Sequence, residues 1–490
     1  MRVTKVVITL YGLLFAAMGL GFWAAPERLA PRFGLDLLGL GGLATARADL
    51  GGAFIALSLL CLVGLYARRR GLLVAAAVAM AAIVVGRLLA FALSGELAGP
   101  PGSLLIEAGA LIALVLHVRG LPRGDDAKGS LRGLAVAALV VAAAGGLLAF
   151  AAHNPKVQDG LFLQAAQHNI RRDNTALLGD DALRVALCGT SAPLPSPTRA
   201  KACVAVMAGG KMYIVDSGPE STKNLMLWGV PLQKTAGVFL THFHSDHIGD
   251  LGELNLQTWV AGRPAQMAVY GGPGVEQVVA GFNTAYGLDE GYRTAHHTAA
   301  LMPPATSQMA AHPIVMTGPQ PRRAVVYDDG AMKITAIETN HAPVSPAYAY
   351  RFDYRGRSAV VTGDTTADPR LIVGAQGADV LFSEAMNRQM VRAMEGVARE
   401  AGRPRIAHIM ADIQSYHIAP TEAADVANKA GVKLLVFYHL IPPPDNFVLR
   451  SMFARGVDSA RRGEWDLAED GALYTLPIGS KEVRIGRVPQ

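Results

Sequence analysis

The sequence predicts two parts of different physical character: a bundle of membrane-spanning α-helices over residues 1–152, and an α/β domain over 183–490 made of two sheets packed face to face with helices outside, joined by a polar linker at 153–182. Two observations carry this. Ala, Leu, Val and Gly dominate up to about residue 152, and an ordinary soluble mixture follows from about residue 180. Beyond that point, strand-like runs alternate with helical patterns in two similar halves.

Five apolar runs, roughly 5–25, 50–67, 71–93, 103–118 and 132–152, come near the ~20 residues that cross a bilayer. Arg2 and Lys5 precede the first run as they would in a signal peptide. However, "GFWAAPE" is a poor cleavage site and further spans follow, so this run is read as a retained helix. Lys and Arg in the short loops set the orientation. "ARRRG" (67–71) and "HVRGLPRGDDAKGSLRG" (117–133) read as cytoplasmic, and "SGELAGPPGS" (94–103), without Lys or Arg, as external. Arg28, Arg32 and Arg47 between the first two runs count against this. The predicted location is the inner membrane, with the domain after residue 152 on the periplasmic side. Arg47, Asp49, Arg87 and Glu107 then converge near the outer leaflet, as an ion-pair cluster tying helices together or, on a second reading, as a ligand or lipid site.

The net charge is +6. Many basic residues lie in loops between apolar runs, so membrane topology accounts for them and nucleic acid is the weaker partner. Of the three cysteines, Cys61 falls inside an apolar run, and Cys188 and Cys203 flank a loop. No CxxC pattern occurs, so cysteine is not the metal ligand. A periplasmic location would allow Cys188 and Cys203 to form a disulfide.

In the second part, "LRVALCG" reads as a strand, "TSAPLPSPTRA" as a loop and "CVAVMAGGKMYIVDSG" as two strands joined by a Gly-Gly turn. "AGVFL" is a strand, followed by helical patterns at 248–260 and 274–286. "MKITAIETNHA", "AYAYRFDYRG", "RSAVVTGDT" and "ADVLFSEAM" read as strands, "PTEAADVANKAGV" as a helix closed by Gly431, and "KLLVFYHL" as the final clear strand. Residues 287–323, with His296 and His297, many prolines and little periodicity, read as an insertion, either a lid or a loose loop.

The chemistry centres on "THFHSDHIGD" (241–250), where His242, His244, Asp246 and His247 fall within six residues directly after a strand. Imidazole and carboxylate suit Zn²⁺. Four such ligands in six residues suit two ions side by side better than one tetrahedral ion. More ligands wait at strand ends: His341 after "ITAIETN", Asp364 after "AVVTG" and His439 after "LLVFY".

HxHxDH followed by Gly-Asp resembles the metallo-β-lactamase superfamily. "LCGTSAPLPSPTRA", "VDSG", "GDTT", "ADVLFSEAM" and "SYHIAPTEAADVANKAGVKLLVFYHL" resemble, more narrowly, its ribonuclease Z, arylsulfatase and phosphodiesterase branch, over residues 183–445. The resemblance implies an αββα sandwich with a two-zinc site, manganese or iron being alternatives. By the same resemblance His242, His244 and His341 hold one ion, Asp246, His247 and His439 the other, and Asp364 bridges them. Asp216 resembles a buried aspartate supporting the metal loop. His417 of "SYH" resembles the histidine that assists the leaving group, and Glu384 of "SEAM" the carboxylate that orients it. The sequence departs from the branch at Gly189-Thr190-Ser191, where Gly-Thr-Gly is usual, and at "EAM", where "EAT" is common. The basic arm with which ribonuclease Z grips tRNA is not recognisable.

The expected activity is therefore hydrolysis of a phosphodiester or related ester by a membrane-anchored zinc hydrolase, with Asp246, His417 and Glu384 as catalytic residues. Zinc ions supply a nucleophile at neutral pH by depressing the pKa of water toward ~7. The alternatives are a ribonuclease Z-like endonuclease, an arylsulfatase-like hydrolase and a membrane-coupled sensor. The partners are an ester substrate and the bilayer. The branch often dimerises, and the sequence leaves the oligomeric state open.

Overall fold

The computed structural model describes residues 2–33, 39–94, 103–121, 154–320 and 322–489. The chain divides into two compact units, Met1–His168 and Asn169–Gln490.

The first unit is helical. Arg2–Ala24, Gly42–Tyr66 and Arg70–Leu88 are long and apolar enough to cross a membrane. They cover the first three apolar runs. A further helix, Ser103–Gly120, forms at the fourth, and the fifth lies wholly outside the described residues. The second of these helices contains a π-helical turn, Ala46–Gly51, between the α-helical Gly39–Thr45 and Gly52–Tyr66. Of the four charges expected near the outer leaflet, two are seen paired with each other. Arg87 pairs with Glu107 at 2.5 Å, while the Arg47 guanidinium donates to the Trp23 carbonyl and the Trp23 indole to the Arg47 carbonyl. The stretch read as a linker is also more ordered than its polarity suggests. Pro155–Ile170 is a helix, begun by Asn154 accepting from the Lys156 amide, and it buries no residue. With no buried face, it has no apolar period by which the sequence could announce it.

The second unit contains fifteen strands among the described residues. β1 (Ala182–Gly189), β2 (Cys203–Ala208), β3 (Lys211–Val215), β4 (Thr235–Phe239), β5 (Met267–Gly271) and β6 (Met309–Pro313) belong to one sheet. β7 (Arg323–Asp328), β8 (Met332–His341), β9 (Val344–Tyr354), β10 (Arg357–Val361), β11 (Val380–Met386), β12 (Leu434–Ile441) and β13 (Glu464–Leu467) form the other. β14 (Ala472–Pro477) and β15 (Arg484–Arg487) return to the first, in the order β15-β14-β1-β2-β3-β4-β5-β6; the second runs β13-β12-β11-β10-β9-β8-β7.

The inward faces of both sheets share one core, with Val185, Val206, Tyr213 and Phe239 from the first and Ile334, Phe352, Phe382 and Tyr438 from the second. Helices 251–260 and 275–297 cover the outside of the first sheet. Helix 420–429 covers the outside of the second. This is the expected αββα sandwich.

Three local expectations give way. The helical pattern at 274–286 continues to His297, and Met309–Pro313 is a strand parallel to β5, so 287–323 is largely ordered structure rather than a loose insertion. The helix buries only Val275, Val279 and Glu290, too few to mark a period. The chain also has strands beyond "KLLVFYHL": β14 pairs antiparallel with β1, closing the first sheet with the C-terminal segment. Finally, β7 precedes "MKITAIETNH" as a half-exposed edge strand.

Cys188 and Cys203 are disulfide-bonded across β1 and β2, with Cα atoms 5.0 Å apart. Cys188 sits where the register of that pair shifts, beside the Gly189–Cys203 pairing. The bond closes the base of the Pro-rich loop.

Candidate metal centre

Strand direction sets the site. β3 and β4 run parallel to each other, and so do β10, β11 and β12, while β8 shares their sense through the antiparallel β9. The C-terminal ends of all these strands therefore gather at one edge of the sandwich, where side chains of successive loops can converge. Asp216 follows β3, residues 241–247 follow β4, His341 ends β8, Asp364 follows β10, and Glu384 and His439 lie near the ends of β11 and β12.

Two backbone features aim these side chains. Asp216 and His439 are non-glycine residues with positive φ, 58° and 45°. Left-handed backbone at such residues costs of order 1–2 kcal/mol and persists only where surrounding contacts hold it. At His439 the β11–β12 register shifts, with Glu384 opposite Tyr438 and Ala385 opposite Leu440, so His439 leaves the ladder. Gly218 and Gly363 allow close approach: a Cβ at Gly218 would stand 2.1 Å from the Asp246 carbonyl oxygen, and one at Gly363 2.6 Å from the Thr241 Cβ.

The structure brings together all seven residues expected as ligands. His242, His244, His341 and Asp364 each offer an atom, all within 4.8 Å of one another, and Asp246, His247 and His439 form a second such group. Asp364 faces both. Its Oδ2 is 3.7 Å from His242 Nε2 and 3.7 Å from His341 Nε2, while its Oδ1 is 3.3 Å from His247 Nε2 and 3.3 Å from His439 Nδ1. All are buried except His244, which is exposed.

The donor set fits divalent metal. His242 Nε2 lies 2.9 Å from His244 Nδ1, and His247 Nε2 lies 3.2 Å from His439 Nε2. Buried His341 Nε2, Asp364 Oδ1 and His439 Nδ1 have no hydrogen-bond partner among the described residues. The other nitrogens of two rings are already engaged. His247 Nδ1–H donates to Asp216 Oδ2 at 2.8 Å, and His341 Nδ1–H donates to the Tyr416 carbonyl at 3.0 Å. Each of these tautomers leaves a lone pair on Nε2 facing the cluster. Converging lone pairs and carboxylate oxygens without protons between them repel unless a cation sits among them. Electrostatics agree: burial lowers His242, His244 and His341, the last to about 4, so these rings are neutral and free to ligate.

Asp216 occupies the place expected for a supporting aspartate. Its Oδ1 accepts from the Thr241 amide at 2.8 Å, and its Oδ2 from the Thr241 hydroxyl at 2.9 Å as well as from His247.

His417 and Glu384 meet beside Asp364. His417 Nδ1 lies 2.9 Å from Glu384 Oε1, which also accepts from the Thr365 amide at 2.8 Å, and 4.0 Å from Asp364 Oδ2. Burial pulls the His417 pKa down, but Glu384, followed by Asp364 and Asp246, carries it above the ordinary histidine value. Its Nε2 has no hydrogen-bond partner among the described residues and remains available.

Three contributors were not singled out from the sequence. Thr241 bridges Asp216 to the His242 ring, with its hydroxyl 3.1 Å from Nδ1. Arg388 clamps the His417 loop, donating to the carbonyls of Gln414 and His417 and to Glu422. Tyr416 packs its ring edge-on to His341, centroids 5.2 Å apart. Thr241 was legible as the residue between strand and first histidine. Arg388 carries no local signal, because it acts across 26 to 34 residues of chain. At the two departures, the Ser191 hydroxyl donates within its own loop, to Ala192 and Leu194 carbonyls. Met386 is buried against Ala192, Val391 and Ile441.

The sequence pattern of a beta-lactamase superfamily domain matches residues 212–440. A ribonuclease Z of Mycobacterium marinum is 34% identical over 263 residues, 53% of this chain and 87% of that protein. The chain belongs to the metallo-β-lactamase superfamily. A second relative within it, ribonuclease Z of Mycolicibacterium paratuberculosis, is 33% identical over 53% of this chain and 86% of its own. Among solved structures, the metallo-β-lactamase fold protein YhfI from Bacillus subtilis aligns over 60% of this chain and 100% of its own, at 21% identity and a TM-score of 0.43. The short form of human tRNase Z gives the same figures. Superfamily membership makes the second unit a hydrolase with ribonuclease Z homology, and the fold implies divalent metal binding at the His/Asp clusters.

Proposed function

We propose that this chain is a membrane-anchored, binuclear zinc hydrolase that cleaves a phosphodiester or a related ester. The observation that carries the reading is the Glu384–His417 pair set against Asp364, whose two oxygens face two separate histidine groups. His242, His244 and His341 would hold one ion, Asp246, His247 and His439 the other, with Asp364 shared. When bound, the ions supply a nucleophile from water at neutral pH and stabilise developing negative charge. Glu384 fixes the His417 proton at Nδ1 and stabilises the imidazolium. His417 then donates from Nε2 to the departing oxygen, a step that suits an ester with a poor leaving group. Asp216 and the Tyr416 carbonyl hold the His247 and His341 rings in the ligating tautomer, so the site is organised before substrate arrives.

The three apolar helices support anchoring in a membrane. The Cys188–Cys203 bond supports placing the hydrolase unit on an oxidising, extracytoplasmic face.

A second reading, an RNA-processing endonuclease, is favoured by the name of the relatives. The test is turnover by the full-length, detergent-solubilised, zinc-loaded protein on an aryl phosphodiester, an aryl phosphomonoester, an aryl sulfate, a lactone and a structured RNA, with Asp364→Ala as control. Metal-dependent preference for the phosphodiester is the expected result. Preference for the sulfate or lactone would overturn the substrate class, and cleavage confined to RNA would select the second reading.

A further inference from the structure

One end of the helical unit has a charge pattern that loop composition alone does not explain. Between the start of Arg2–Ala24, the turn after Gly52–Tyr66 and the end of Ser103–Gly120 lies a cavity of about 590 Å³ lined by Arg2, Lys5, Arg68, Arg70 and His117. Its walls hold four full positive charges and an imidazole, and no carboxylate. No Asp or Glu of the described residues pairs with any of the four cations. The polar contacts they do make are sparse. The Lys5 ammonium lies over the Tyr66 ring, 5.1 Å from its centroid, Arg70 donates from Nη1 to the Leu121 carbonyl, and Arg70 Nε is buried without a partner. His117 Nδ1 is 2.8 Å from the Thr4 hydroxyl.

Two long helices begin here, at Arg2 and Arg70, and two end here, Gly52–Tyr66 and Ser103–Gly120, so their dipoles oppose one another and the positive field comes from the side chains. Arg68, the first of three consecutive arginines, is held at φ 50°, a conformation that costs a non-glycine residue energy. Arg2, Lys5 and Arg68 are exposed and Arg70 is half-buried. Together with His117 they border a volume large enough for a small anionic group at the level where apolar helices end.

We infer that this cavity binds the phosphate of an anionic phospholipid headgroup. The chemistry required is a phosphate mono- or diester anion. Polybasic contacts at a membrane surface contribute roughly fivefold in affinity per Lys or Arg.

The experiment uses the full-length protein, delipidated in neutral detergent. Phosphatidylglycerol and phosphatidylcholine with the same acyl chains are titrated separately, and bound lipid is read by native mass spectrometry and by the thermal shift of the helical unit. Phosphatidylglycerol is expected to bind and stabilise, and phosphatidylcholine to do neither. Lys5→Gln with Arg68→Gln should weaken phosphatidylglycerol roughly 25-fold, whereas Arg69→Gln with Arg119→Gln, basic neighbours outside the cavity lining, should change it little. Equal binding of both lipids by the wild-type protein would overturn the inference without reliance on any variant. So would an equal loss in the two double variants, which would mean diffuse surface charge. Displacement of bound lipid by millimolar inorganic phosphate would reassign the site to a soluble anion. Binding that emerges only after Asp125→Asn with Asp126→Asn would mean that the chain's own acids fill the cavity, and would also overturn it.

Discussion

Asp216→Asn isolates the aspartate that touches no proposed ion yet holds both the loop and a ligand ring. The carboxylate accepts three hydrogen bonds: Oδ1 from the Thr241 amide at 2.8 Å, and Oδ2 from the Thr241 hydroxyl at 2.9 Å and His247 Nδ1 at 2.8 Å. Asparagine has nearly the same shape but one acceptor and one donor end. If its amide nitrogen takes the Oδ1 place, it meets the backbone N–H of fully buried Thr241, and an orphaned buried donor costs about 1–3 kcal/mol. If it takes the Oδ2 place, the Thr241 hydroxyl can turn to accept, but His247 Nδ1–H faces another donor. The ring must then move its proton to Nε2, the atom aimed at the cluster, and cease to be a ligand. Either orientation does damage, to stability in the first and to metal retention in the second. Loss of an outer partner of a metal-ligating histidine typically weakens metal binding about 10–100-fold. The assay pairs a zinc-chelator competition with thermal unfolding of the metal-free protein. Zinc affinity within twofold of wild type together with an unchanged apo melting temperature would refute the reasoning, because neither orientation of the amide permits both.

Three further outcomes follow from the geometry. Glu384→Gln removes the charge that raises His417, so the fall in activity as pH rises through the His417 pKa should move to lower pH, with kcat reduced about 10²–10⁴-fold and KM little changed; an unaltered pH profile would remove His417 from the acid role. Replacing Cys188 and Cys203 by serine opens a loop of 15 residues, which should cost about 3 kcal/mol and lower the melting temperature of the hydrolase unit by about 5–10 °C, read by circular dichroism; equal stability with and without reductant in the wild type would contradict it. Asp470 accepts from the Thr190 amide and hydroxyl at one oxygen and from the Ala200 amide and Asn224 side chain at the other, so Asp470→Asn must turn a donor toward a buried amide and should destabilise by about 1–3 kcal/mol in denaturant unfolding, while Asp470→Glu, which keeps both acceptors, recovers part of it.

The sequence by itself determined those features whose cause is local. Long apolar runs must lie in lipid or in a core, and three of them became helices of membrane-crossing length. Alternating or continuous apolar runs became the strands of two stacked sheets. Residues such as His242, Asp246 and His247 were legible as ligand candidates because a strand ending in a loop delivers successive side chains to one place. The tertiary structure decided what depends on contacts between distant segments. It placed Asp364 with one oxygen toward each histidine group, and it set Arg388 over the His417 loop. It also turned the half-exposed Met309–Pro313 and the exposed Arg484–Arg487 into edge strands. Such strands bury little apolar surface and gain their form from neighbouring backbone rather than from their own pattern. The cavity at Arg2, Lys5, Arg68, Arg70 and His117 belongs with these. Its residues come from three separated stretches that read in sequence only as loop charge, and helix packing makes them face one volume.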